Sequence, residues 1–290
     1  MVIVETHERV PLDATIAPEQ QPAHLFRRDV AAFCLLTFTL SWSSWFPLIA
    51  ARFGWLPGAS SYWHLVGSLG PAAAAMLMAF ASSNVRQFLS RAWRAHPPAL
   101  AWFIALALPI LLVLVGSLTQ WATTATFPGV AAIIHNVEYK SLGPASVLAI
   151  QLLFYGFGEE IGWRGYLMPA LAQRLGAWRA GLLIAVPWTL WHLPLLVAAP
   201  GFSSMSPLLL TGWAFSMLCG SLLMAWLWQL AHGAILPLAI FHGLLDLVMS
   251  NDGLGDAAQA AMGAVISIAG LWAWRNLVAA SQERRSVAGQ

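Results

Sequence analysis

The chain has 290 residues, of which 59% are hydrophobic and 9% charged, with a net charge of +2 and a mean hydropathy of +0.70. Soluble domains carry about 25% charged residues, so this composition excludes an ordinary soluble globular domain and a disordered chain. So small a net charge also excludes a polybasic nucleic-acid binder. Sixteen tryptophans suit a protein whose rings sit at membrane–water interfaces. The expectation is an all-α, polytopic transmembrane helix bundle.

A span needs about 20 apolar residues to cross roughly 30 Å of hydrocarbon. Eight runs qualify, near 29–51, 61–82, 99–121, 146–171, 180–199, 208–230, 233–250 and 257–278. The seventh is short and is joined to the sixth by a tight turn at His232–Gly233. Residues 1–28 form a polar tail, 29–278 the membrane domain with a core at about 146–250, and 279–290 a second tail. The first run is too long for the apolar region of a signal peptide.

With eight spans, both termini share a side. Arg9, Arg27, Arg28, Arg86, Arg91, Arg94, Arg174, Arg179, Arg275, Arg284 and Arg285 fall there, eleven of the fourteen Lys and Arg residues. Arg52 and Lys140 fall opposite, and Arg164 lies within a span. By the positive-inside rule both termini are cytoplasmic. The Arg-rich, Lys-poor composition suggests a bacterial inner membrane. Residues 85–96 read either as a basic amphipathic segment on that face or as an interfacial loop, and 123–145 as a long external loop. Cys34 and Cys219, both in apolar runs, read as small core hydrophobes.

Ionisable residues inside spans cost about 2.5–3.5 kcal/mol at a helix centre and mark functional sites by default. The fourth run carries Glu159, Glu160 and Arg164, the fifth His192, and the seventh His242 and Asp246. These lie at one depth on three helices. Glu160 and Arg164 are i,i+4 neighbours that pair on one face, which leaves Glu159, about 100° around the helix, free for chemistry. His242 and Asp246 share the same spacing. His64 has no evident partner and reads as interfacial, and His135 and His232 read as loop residues. Two carboxylates, two imidazoles, an aspartate and a guanidinium suit hydrolysis, either with a metal or by a glutamate–histidine pair acting on water.

The stretches GEEIGWRGYLMPAL (158–171), WTLWHLP (188–194) and AILPLAIFHGLLDL (234–247) resemble the CAAX protease and bacteriocin-processing (CPBP) family of intramembrane proteases, which includes the Ras-converting CAAX endopeptidase. The family motifs EExxxR, FxxxH and HxxxN/D correspond to Glu159, Glu160 and Arg164; to Trp188 and His192; and to His242 and Asp246. GSLGP (67–71) resembles the family's second-helix element. Two positions depart from the pattern. Trp188 replaces Phe, a swap expected to change little, and Asp246 stands where eukaryotic members have Asn.

The resemblance implies an intramembrane endopeptidase acting on a membrane-associated protein or peptide. Glu159 would activate water with the help of His192. His242 and Asp246 would bind the oxyanion or a metal, and Glu160 with Arg164 would hold the geometry. If zinc is the cofactor, His192, His242 and Glu159 are the expected ligands. Partners are then the substrate and the lipid bilayer, with no nucleic acid. Two other readings stand beside this one: a non-enzymatic membrane scaffold or immunity-type protein that retains the motif, and a proton-coupled transporter. The transporter is disfavoured because the polar groups cluster at one depth and no inverted repeat is visible.

Overall fold

The computed structural model describes residues 23–92, 96–129, 136, 138–250 and 253–288. All eight apolar runs are helical. In a bilayer an apolar segment must satisfy its own backbone hydrogen bonds, and a helix does so within one segment. The helices are α1 (Ala23–Arg52), α2 (Tyr62–Ser68), α3 (Gly70–Ala81), α4 (Val85–Ala92), α5 (Ala99–Thr124), α6 (144–175), α7 (Ala177–Trp191), α8 (Leu193–Ala198), α9 (Pro200–Ser203), α10 (Pro207–Leu230), α11 (Leu236–Met249) and α12 (Asp256–Ala288). Among the described residues, six segments are long and apolar enough to cross a membrane: α1, α2 with α3, α5, α7 with α8, α10, and α12. The protein is a polytopic helical membrane protein.

The other two expected spans differ from these six, each for a physical reason. The seventh, α11, has 14 residues. At 1.5 Å per residue that is about 21 Å, short of a full crossing. The fourth, α6, is long enough but carries Glu159, Glu160 and Arg164, and its winding changes along its length. Two wide-turn π segments, Gln151–Phe157 and Ile161–Leu167, flank a short α-helical stretch, Gly158–Glu160. π turns inside helices are concentrated at functional sites.

The expected C-terminal tail from 279 is part of α12 as far as Ala288. The segment Gln282–Arg285 contains good helix formers and no breaker. Of the expected N-terminal tail, residues 1–22 lie outside the described residues, and the chain is helical from Ala23. Residues 85–92 of the basic segment form helix α4, whose Phe88 is buried, while 93–95 lie outside the described residues. His135 does too. The turn between α10 and α11 is as tight as expected: His232 and Gly233 both take positive φ, 52° and 78°.

Two apolar cores flank α6 and α11. One joins α1, α3, α6, α7 and α10 around Trp45, Trp163 and Trp191. The other joins α5, α10, α11 and α12 around Leu112, Phe241 and Met262. Large apolar side chains such as Leu35, Phe46, Phe103, Ile110, Leu208 and Ile268 are exposed on the periphery, far beyond the apolar patch of a soluble monomer, and they form the surface that meets lipid.

Two glycines on α6 set how close its neighbours come. At Gly156 an added Cβ would run into the Ala239 carbonyl of α11, and at Gly162 into Pro71 of the GSLGP element. Small residues at helix crossings permit this backbone approach. Gly156→Ala is expected to push α6 and α11 apart at a cost of about 1–3 kcal/mol, seen as a lower unfolding temperature in detergent. Gly58→Ala, where the added Cβ meets nothing within 4 Å, is expected to leave that temperature unchanged.

Candidate active site

The site forms where α6, α7 and α11 meet. Glu159, Glu160, Arg164, His192 and His242 are all buried, and Asp246 is partly accessible, its side chain 32% exposed. Burying this many ionisable groups in an apolar bundle is tolerable only if they satisfy one another.

Glu160 is the common partner. One of its oxygens, Oε1, accepts hydrogen bonds of 2.8 Å from Arg164 Nη1 and 2.8 Å from His242 Nδ1. The Arg164 pair is the i,i+4 pair read from spacing. The His242 bond reaches across to α11 and ties the first motif to the third. With Nδ1 committed to Glu160, His242 presents Nε2 to the site, 3.6 Å from Asp246 Oδ2. A carboxylate that holds the far nitrogen of an imidazole is the usual way to orient a ligand or catalytic histidine.

Glu159 faces a different partner. The Trp188 indole N–H donates to its Oε2 at 2.8 Å. The Arg164 guanidinium lies 4.3 Å from the Trp188 ring centroid, and the His242 ring meets the same indole edge-on at 5.5 Å.

His192 ends α7. It caps the helix at φ −77°, ψ −7°, and α8 begins at Leu193 with Pro194 in its first turn. Its Nδ1 is 2.7 Å from the Trp188 carbonyl. A carbonyl only accepts, so Nδ1 carries the proton, and in the neutral ring Nε2 is left as the acceptor. Trp191, Phe202 and Trp213 surround the imidazole at ring separations of 4.9, 5.8 and 5.7 Å.

The six expected site residues thus gather into one region, but the candidate metal set differs from expectation. Donor atoms of Glu159, His242 and Asp246 lie within 4.8 Å of one another. His192, expected with Glu159 and His242, is not in this group. The bond to the Trp188 carbonyl and the aromatic packing hold its ring apart, while Asp246, one turn beyond His242, takes the third place. One imidazole and two carboxylates are a donor set that suits zinc, so the residues fit such an ion.

Two features of the region were missed in the sequence. His64 is buried, not interfacial, and its Nδ1 is 2.7 Å from Glu138 Oε2. It lies within electrostatic reach of Glu159 and Asp246. The adjoining Tyr139 hydroxyl is 2.6 Å from that of Tyr155, one turn before Glu159. Burial, with Glu138 beside it, pushes the Tyr139 phenol well above its ordinary range. Glu138 and Tyr139 are therefore tied to α2 and to α6, the helix that carries the glutamates. The second feature is Trp188. Its replacement of Phe was expected to change little, but the indole N–H is the hydrogen-bond donor to Glu159, a bond phenylalanine cannot make. The nitrogen itself was the signal available in the sequence.

Fold and site together define a helical membrane protein with a buried carboxylate–histidine centre. Residues 141–248, just over a third of the chain, match the family model described as Type II CAAX prenyl endopeptidase Rce1-like. The match covers all three motifs and supports assignment to the CPBP family of membrane proteases. A comparison with curated proteins gives no match.

Arg164→Leu would take the guanidinium from buried Glu160 and leave His242 as its remaining described partner, at a cost of up to about 3–5 kcal/mol. The expected outcome is a large fall in unfolding temperature, partly restored in the double variant Glu160→Gln, Arg164→Leu.

Proposed function

We propose that this protein is an intramembrane endopeptidase that hydrolyses a peptide bond in a membrane-associated protein or peptide. The observation that carries the reading is the meeting of Glu159, His242 and Asp246 inside an apolar bundle, in a segment similar to a CAAX endopeptidase family. The positive-inside asymmetry supports cytoplasmic termini, and the composition supports a bacterial inner membrane.

In this reading Glu159 is the general base. Its Oε2 is held by Trp188, and its other oxygen takes a proton from the attacking water. His192 offers Nε2 as a second acceptor to align that water. As the carbonyl carbon becomes tetrahedral, negative charge builds on its oxygen, and a preorganised donor there stabilises it. His242, anchored through Nδ1 on Glu160, offers Nε2 as that donor when the ring carries both protons. Glu160 and Arg164 touch no substrate atom in this scheme; they hold His242 and Trp188 in place.

Glu159, His242 and Asp246 are also the residues that would hold zinc. When bound, zinc polarises a carbonyl and generates hydroxide from water at neutral pH. The division of labour among Glu160, Arg164 and Trp188 is the same in either case.

The test is hydrolysis by purified protein in proteoliposomes, using membrane-anchored reporter peptides. Glu159→Gln keeps the shape and the Trp188 contact but removes the base. Cleavage is expected to fall by at least about 10²–10⁴-fold, the usual worth of general acid–base catalysis, with an unchanged elution profile. Cleavage by Glu159→Gln at the wild-type rate would refute the assignment of the base.

A further inference from the structure

We propose that Trp188 is a positioning residue of the hydrolytic site: its indole N–H fixes Glu159 Oε2 and leaves the other carboxylate oxygen as the one that works on water. This rests on the endopeptidase reading above and deepens it.

Among the described residues, the bond from Trp188 Nε1, at 2.8 Å, is the hydrogen bond that Glu159 receives. Among the described residues no hydrogen bond reaches its other oxygen, and the carboxylate lies with the donor atoms of His242 and Asp246, all within 4.8 Å of one another. The two oxygens of one carboxylate therefore have separate surroundings. Without the indole, the Glu159 carboxylate loses its hydrogen-bond anchor, and its orientation is less tightly held. A general base must sit within hydrogen-bond reach of the proton it removes, so a loose carboxylate spends much of its time out of range.

The indole is itself locked. Arg164 covers one region of the ring at 4.3 Å, and the same guanidinium is tied to Glu160 at 2.8 Å. The His242 ring stands perpendicular to the indole at 5.5 Å. The backbone is engaged too, since the Trp188 carbonyl accepts from His192 Nδ1 at 2.7 Å. One residue thus contacts Glu159, Arg164, His192 and His242, members of all three motifs. Trp188 is 5% exposed, so water does not compete for its N–H. Phenylalanine at this place would keep an aromatic ring against Arg164 and His242 but would remove the donor, together with part of the ring volume.

That difference makes Trp188→Phe the discriminating variant. In the proteoliposome assay its kcat is expected to fall about 10- to 100-fold, the scale of an ångström-level misplacement of a catalytic group. KM is expected to stay within about twofold, because uniform substrate binding is untouched. The unfolding temperature should fall modestly, because a buried hydrogen bond and part of a buried ring are lost, with the elution profile unchanged. A wild-type kcat in Trp188→Phe would overturn the proposal, and a fall in kcat is separated from a loss of packing by the state of the indole N–H.

A second measurement does not depend on turnover. In protein labelled with ¹⁵N at tryptophan, the indole N–H resonance that vanishes in Trp188→Phe is expected to move upfield in Glu159→Ala, where the carboxylate acceptor is gone. A resonance that does not respond to Glu159→Ala would overturn the hydrogen bond on which the proposal stands. If wild type cleaves none of the reporters while this resonance still moves, the endopeptidase reading fails and the positioning of Glu159 by Trp188 stands.

Discussion

The site depends on one oxygen atom. Glu160 Oε1 accepts from Arg164 and from His242, and the rest of the arrangement follows. A guanidinium inside an apolar bundle needs a carboxylate beside it, so Glu160 makes Arg164 tolerable. Arg164, so held, lies against Trp188, and Trp188 in turn holds Glu159. On its other side Glu160 commits His242 Nδ1, which leaves Nε2 toward Asp246. The two adjacent glutamates thus have opposite tasks. Glu160 is spent on neighbours, and Glu159 is kept available.

The helices are shaped to permit this. Gly156 and Gly162 bring α11 and the GSLGP element against α6 closely enough for short cross-helix bonds. The π segments on either side of Glu159 and Glu160 rewind the helix there. α7 stops at His192, whose imidazole bonds back to the Trp188 carbonyl, and Pro194 lies in the first turn of the next short helix. Backbone irregularity of this kind is tolerated in membrane proteins where it is enclosed by protein, and here it lies between two packed cores.

What was legible in the sequence follows from range. Apolar runs show in a window of twenty residues, and each of the eight is a helix. The pairing of Glu160 with Arg164, and the facing of His242 and Asp246, come from i,i+4 geometry within one helix. Contacts between helices carry no such local signal. The bonds from Glu160 to His242 and from His64 to Glu138 join residues 82 and 74 positions apart. The grouping of Asp246, in place of His192, with Glu159 and His242 depends on where α7 ends. Trp188 is visible in the sequence as an aromatic residue at the Phe position, but the partner of its ring nitrogen lies 29 residues away on another helix. The shortness of α11 reflects the polar turn at His232–Gly233, which takes up the start of the expected span.

The central claim is that the cluster around Glu159 cuts protein chains. Its most direct test is mass-spectrometric mapping of new protein N-termini in host cells that express either wild type or Glu159→Gln at matched levels. The account predicts a set of termini in membrane-associated proteins that is present with wild type and missing with the variant. Identical termini in the two cultures, with the variant replacing wild type in every phenotype, would contradict it.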